Sequence, residues 1–156
     1  MIHILRVDDK LLHGQVAFSW VRNLKIHTIV IADDSIVYDE FMKMTLGLSK
    51  PSGVKLQILE IKDAIEFLEA NIHSELHIMA IVNSIHNAYR IMEEIQDIHT
   101  LNLGALRERY DAIPFSENIS LNKEEVMVCK ALIEKGKHIE MRMRYDDKAI
   151  HIDRLL

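Results

Sequence analysis

The chain has 156 residues, 49% of them hydrophobic and 28% charged, with a net charge of -5 at pH 7. This size and balance suit one globular domain over residues 1–156 with a single sizeable core. The acidic balance argues against nucleic-acid binding and a polybasic membrane anchor, and no apolar run approaches the ~18 residues needed to cross a bilayer.

The N-terminus, Met1 to Arg6, is too short and too soon charged for a signal peptide. The one cysteine, Cys129, excludes an internal disulfide. Its apolar neighbours Val126, Val128, Ala131 and Leu132 mark it as a buried core residue rather than a nucleophile. Cysteine usage of this kind fits a reducing cytoplasm.

In chain order, Ile2 to Val7 reads as a strand, Asp8 to Leu12 as a loop and His13 to Leu24 as a helix. His27 to Ala32 is a second strand, apolar on both sides, as suits a parallel sheet covered on both faces. Tyr38 to Leu48 has helical spacing, with Phe41, Met44, Thr45 and Leu48 on one stripe. Pro51-Ser52-Gly53 is a turn, Val54 to Leu59 a third strand and Lys62 to Ala70 a short helix with Ile65 and Leu68 inward. Leu76 to Val82 is a fourth strand, placed centrally. Asn83-Ser84 then starts a helix running from Ile85 to Ile95.

Thr100 to Leu103 forms a short strand that stops at Gly104. Asp111 to Leu121, with Pro114 and several turn residues, predicts short irregular or edge strands. Asn122 opens a helix that runs to Lys135 and ends at Gly136. His138 to Arg144 alternates as a half-exposed strand near a sheet edge. Lys148 to Leu156 is expected to be a helical tail docked by Ile150, Ile152, Leu155 and Leu156. Strand and helix alternate throughout, so the class is α/β with a mainly parallel sheet.

No G-x-G-x-x-G, no G-x-x-x-x-G-K-[ST] and no G-x-S-x-G occurs, which removes the usual nucleotide-binding and serine-hydrolase motifs. The nine histidines are scattered, and His73 and His77, though four apart, run from a loop into a strand where they do not converge. No metal site and no cofactor is expected.

His13 stands apart from the other histidines. It lies at the turn from a strand into a helix, where an open α/β sheet places its chemistry. A neutral imidazole is a good nucleophile near pH 7, and its N–P bond is reactive enough to pass a phosphoryl group on. The backbone amides of Gly14 and Gln15 at the helix start, with Lys10 and Arg6 as cations, would bind that group. Asp8 or Asp9 would orient the imidazole, or both are simply turn formers.

The stretch Arg6-Val7-Asp8-Asp9-Lys10-Leu11-Leu12-His13-Gly14-Gln15-Val16 resembles the R-[IV]-D-[DE]-R-[LF]-[IL]-H-G-Q-V signature of a known family, the mannose/fructose/sorbose-type enzyme IIB of the bacterial phosphoenolpyruvate-dependent sugar phosphotransferase system. Trp20, Ile29 to Asp34 with Ser35, the Asn102-Leu103-Gly104 turn and Gly136 to Met143 extend the resemblance over essentially the whole chain.

The resemblance implies a three-layer α/β/α sandwich. It implies that His13 takes phosphate, at Nδ1, from the phosphohistidine of a IIA protein or domain. The group then passes to a sugar held by the membrane IIC and IID components. The chain would be cytoplasmic and recruited to the membrane by that permease. A homodimer is left open. So is a regulatory phosphoprotein that transfers to no sugar.

The sequence departs from the family at two places. Lys10 stands where the family usually has an arginine, keeping the charge but losing the bidentate fork. Ala105 replaces the second glycine of the Asn102 to Leu106 turn. Asn83 and Ser84 fall where the family places another active-site loop, which makes Ser84 a candidate phosphate contact.

Overall fold

A computed structural model describes residues 1–156. β1 (Ile2–Asp8) leads into α1 (Gly14–Leu24), and β2 (Thr28–Ala32) into a 3-10 turn and α2 (Glu40–Ser49). Then come β3 (Lys55–Leu59), α3 (Ile61–Ala70), β4 (Ile78–Val82), α4 (Ile85–Glu94) and β5 (Thr100–Ala105). A short hairpin, β6 (Ile113–Pro114) and β7 (Ser120–Leu121), precedes α5 (Lys123–Glu134), β8 (His138–Met141) and β9 (Ile150–His151).

One sheet has the order β3-β2-β4-β1-β5-β8-β9, with every pairing parallel except β8 with β9. β4 lies inside the sheet between β2 and β1, as its uninterrupted apolar run predicts, while β1 takes the middle place. Its residues divide by the two-residue period of a strand. Ile78, Ala80 and Val82 join the core under α3, α4 and α5, while Met79 and Ile81 join the core under α1 and α2. The fold is the expected α/β/α sandwich with a mainly parallel sheet.

This topology positions the site. β1 and β5 are neighbours, yet β1 feeds α1 on one face and β5 feeds α5 on the other. Where adjacent strands hand over to opposite faces, a crevice opens beyond their carboxyl ends. The segment between β5 and α5 closes over that crevice as an arm. Leu106 exchanges backbone bonds with Asn118 and Ser120, and the Arg109 guanidinium donates to both carboxylate oxygens of Glu125, at 3.1 and 2.7 Å. Glu125 also completes the α5 capping box with Asn122.

Several expectations need correction. The stripe Phe41, Met44 and Leu48 faces solvent, and in α2 only Leu46 is buried. The 3-10 turn Ile36–Tyr38 and the Asp39 cap, which accepts from the Met42 amide, set the helix so that Met42, Leu46 and Ser49 form its inward row. β5 does not stop at Gly104 but runs on to Ala105, because Asp8 of β1 continues the pairing there. β8 ends at Met141 rather than Arg144. The tail is not a docked α-helix: Ile150–His151 pairs with β8, a 3-10 turn follows, and Ile152 is buried while Ile150 and Leu155 are exposed.

The histidines are also less scattered than expected. His3, His77 and His27 cluster at the end of the sheet opposite His13, with successive ring centroids 4.4 and 4.8 Å apart and the rings tilted by 59° and 52°. No group of three histidine, cysteine or acidic side chains has an arrangement that could hold a metal ion.

Candidate functional site

The loop from Asp8 to His13 is shaped by its own residues. The Asp8 carbonyl accepts from the Leu11 amide at 2.9 Å, and Asp8 Oδ1 accepts from the Lys10 amide at 2.9 Å. Leu11 adopts a left-handed conformation with φ of 61°, which costs a non-glycine residue about 1–2 kcal/mol. Burial of the Leu11 and Leu12 side chains offsets that strain. Two buried leucines anchor the loop, so Lys10 and His13 are left to project toward solvent.

His13 is the N-cap residue of α1, with extended backbone and no side-chain cap. The imidazole is therefore free of the usual capping task, and the first amides of α1, from Gly14 and Gln15, carry no side-chain acceptor. Both residues are exposed, and the first turn has no acidic residue to neutralise its positive end.

His13 Nε2 lies 3.1 Å from Asp8 Oδ2. An ionised carboxylate can only accept, so in the neutral imidazole this bond selects the tautomer with its proton on Nε2 and the lone pair on Nδ1. Asp8 is itself buried and fixed. Its Oδ2 also accepts from Arg6 Nη2 at 3.0 Å. Of the two candidates for orienting the imidazole, Asp8 is the one that touches it. Asp9 turns the other way: its Oδ2 accepts from the Arg107 amide at 2.8 Å and from Arg107 Nε at 3.0 Å.

Arg6 does not occupy the phosphate-contact position expected from the sequence. Its side chain is 1% exposed. Nη1 donates to Asn102 Oδ1 at 2.9 Å and to the Arg142 carbonyl at 3.2 Å. Burial acts to lower its pKa, and the neighbouring Asp8 carboxylate opposes that effect. The guanidinium lies against Gly104, where an added Cβ would fall inside it. That contact gives the glycine of the Asn102-Leu103-Gly104 turn its physical reason. Trp20 closes the other side: Arg6 and Arg142 lie 5.7 and 4.7 Å from its ring centroid, and its indole donates to the Met143 carbonyl at 2.9 Å.

Ser84 is also placed differently. Its hydroxyl caps α4 by accepting from the Asn87 amide at 3.2 Å. It borders a neighbouring hollow with Asn83 and Arg109, not the cavity that His13 lines.

The His13 cavity has a volume of about 280 Å³ and lies between the Asp8 to His13 loop and the arm. Lys10 and Arg107 supply its cations, and Ser116, Asn118 and Met143 line its far wall. Sequence reasoning missed Arg107 because no motif surrounds it. The departures at Lys10 and Ala105, which flank its place in the fold, were the nearest signals. Cys129 is buried in the α5 core and its thiol is pushed up to about 12 by desolvation, so it is no alternative nucleophile.

The family described as PTS system sorbose subfamily IIB component matches residues 2–156. The chain belongs to this family. It is 33% identical over 138 residues to a probable phosphotransferase enzyme IIB component of Streptococcus pyogenes, covering 85% of each chain. Its fold is similar to that of the IIB domain of the sorbose permease from Klebsiella pneumoniae, with a TM-score of 0.91, 22% identity and coverage of 99% and 96%. It is also similar to manxB from Thermoanaerobacter tengcongensis, with a TM-score of 0.90, 28% identity and coverage of 99% and 94%. Membership makes the chain a sugar-phosphotransferase-system IIB component. No helix in it is long and apolar enough to cross a membrane.

Proposed function

We propose that His13 accepts a phosphoryl group from the phosphohistidine of an enzyme IIA protein or domain and passes it to a sugar entering through the IIC and IID permease components. The observation that carries this reading is the division between the two imidazole nitrogens. Nε2 is tied to Asp8 Oδ2, whereas Nδ1 forms no hydrogen bond within the protein. The ring is partly exposed beside an uncapped helix N-terminus, where two partners can reach it in turn.

In the first half-reaction the Nδ1 lone pair bonds to phosphorus, and the donor's N–P bond breaks with its electron pair left on the donor nitrogen. Positive charge develops on the His13 ring and is shared with Asp8 through the Nε2–H bond. In the second half-reaction the sugar hydroxyl oxygen bonds to phosphorus, the Nδ1–P pair returns to His13, and the hydroxyl proton leaves to solvent. The amides of Gly14 and Gln15, with the Lys10 ammonium, offset the phosphoryl charge. The reading requires no metal and no cofactor. It places the chain at the cytoplasmic face, held there by the permease.

The test is a reconstituted relay. Phospho-IIA should give the chain an acid-labile, alkali-stable phosphate that maps to His13, and His13→Ala should abolish it. Acceptance by His13→Ala at the wild-type rate would overturn the proposal. Adding membranes that carry IIC and IID, with a panel of sugars, then checks the second half. A phosphorylated chain that yields no sugar phosphate would point to the regulatory reading, which Lys10 in place of arginine keeps in view.

A further inference from the structure

Arg107 is the one arginine that lines the His13 cavity, and its terminal nitrogens are uncommitted, unlike those of the arginines on either side. Arg6 spends its guanidinium on Asp8, Asn102 and the Arg142 carbonyl. Arg109 spends its own on Glu125 and the Ser120 carbonyl. Arg107 instead uses only its backbone amide and Nε, both on Asp9 Oδ2, and its side chain is two-thirds exposed. Asp9 is in turn fastened to the end of β5 by its amide, which donates to the Ala105 carbonyl at 3.0 Å. Asp9 thus clamps the arginine at its neck and leaves Nη1 and Nη2 as a free pair on a fixed base. Arg107, Lys10 and His13 line the same cavity.

A guanidinium presents paired donors that match two oxygens of a phosphoryl group, and an ammonium does not. Lys10 alone therefore lacks the fork on which in-line transfer commonly relies. We propose that Arg107 is a catalytic residue of the relay: its Nη1 and Nη2 hydrogen-bond two equatorial oxygens of the phosphoryl group as it moves on to and off His13 Nδ1. Lys10 serves the third oxygen. Arg107 neither gains nor loses a proton, and the bonds made and broken are those of the His13 half-reactions. The inference rests on the reading of His13 as the phosphoryl acceptor.

The experiment measures the rate constant for phosphorylation of the full chain at saturating phospho-IIA, and the half-saturating concentration separately. Arg107→Gln should lower the rate constant by about 10²-fold and Arg107→Lys by about tenfold, because lysine restores charge without the fork. Both variants alter an exposed side chain and keep the backbone bond to Asp9, and unchanged thermal unfolding would verify their fold. Two rescues separate chemistry from scaffolding. Lys10→Arg should restore much of the rate in Arg107→Gln, and so should added guanidinium ion at millimolar concentration. A rate constant for Arg107→Gln within twofold of wild type would overturn the inference, as would a loss confined to the half-saturating concentration. Phosphate acceptance by the wild type at a site other than His13 would instead overturn the underlying reading.

Discussion

Asp8 Oδ2 holds two partners at once: His13 Nε2 at 3.1 Å and Arg6 Nη2 at 3.0 Å. The imidazole is thereby linked to a buried ion pair, and its proton is fixed on the nitrogen facing the protein. One oxygen of one carboxylate couples the reacting ring to the core of the sheet.

Asp8→Asn should break that coupling. The amide can present an N–H to Nε2, which would favour the wrong tautomer and occupy the wrong nitrogen. Phosphorylation of His13 should fall by about 10²–10⁴-fold, the range seen when an orienting carboxylate is lost. Arg6 would also lose its charge partner, and breaking a buried pair costs about 3–5 kcal/mol. Denaturant unfolding checks the second effect. Nitrogen NMR of the His13 ring checks the first: the tautomer should shift away from the Nε2–H form, and an unchanged spectrum would exclude this role for Asp8.

Gly104→Ala should disturb the site without touching any residue that lines it with His13. The new methyl group would overlap the Arg6 guanidinium, which has no room to retreat between Trp20 and Asn102. Overpacking of this kind costs about 1–3 kcal/mol. A lower thermal midpoint together with slower phosphoryl acceptance is expected. A variant that is fully stable and fully active would show that the Arg6 position is not needed.

Cys129 should be chemically silent in the native protein. Desolvation is the main cause of its raised pKa, with Glu125 adding to it, and a thiol at about 12 has almost no thiolate at neutral pH. Iodoacetamide at pH 8 should label it only after unfolding, and pretreated protein should accept phosphate at the untreated rate. Rapid labelling of folded protein with loss of acceptance would contradict this.

Acid should weaken the link between β2 and α3. Asp34 accepts from the Ile61 amide at 2.9 Å and from Arg90 at 3.0 Å, and in that order these contacts hold its carboxyl below the ordinary range. For a carboxyl whose folded pKa is depressed, the added stability is present above the unfolded value of about 3.9 and is lost as pH falls through the folded value. The stability gap between wild type and Asp34→Ala should therefore be constant near pH 6–7 and narrow below about pH 4. A gap that widens with acid would show the sign to be wrong.

Much of this molecule was legible as sequence. The apolar runs at Thr28 to Ala32 and Ile78 to Val82 could only be buried on both faces, and Asn122 with Glu125 and Gly136 bracketed α5. His13 at a strand-to-helix turn, and its resemblance to the IIB signature, carried the site. What failed depended on tertiary partners. Phe41, Met44 and Leu48 have the spacing of an inward face, but a preceding 3-10 turn rotates α2 and leaves them outside. Arg6 looked like a phosphate-binding cation because the carboxylate, amide and glycine that receive it are separated in the chain or hidden in a turn pattern. Arg107 was invisible for the same reason: Asp9, which holds it, lies far away in sequence.

Trp20 is the only tryptophan in the chain, and it is 1% exposed. It lies against the guanidinium of Arg6, which grips the same carboxylate oxygen as His13. Two cations next to a single indole act on its excited state, so emission excited selectively at the indole, away from the four tyrosines, should report the Arg6–Asp8 pair. Loading and unloading of the imidazole should then shift that emission, a change that fluorescence of the unlabelled protein would check.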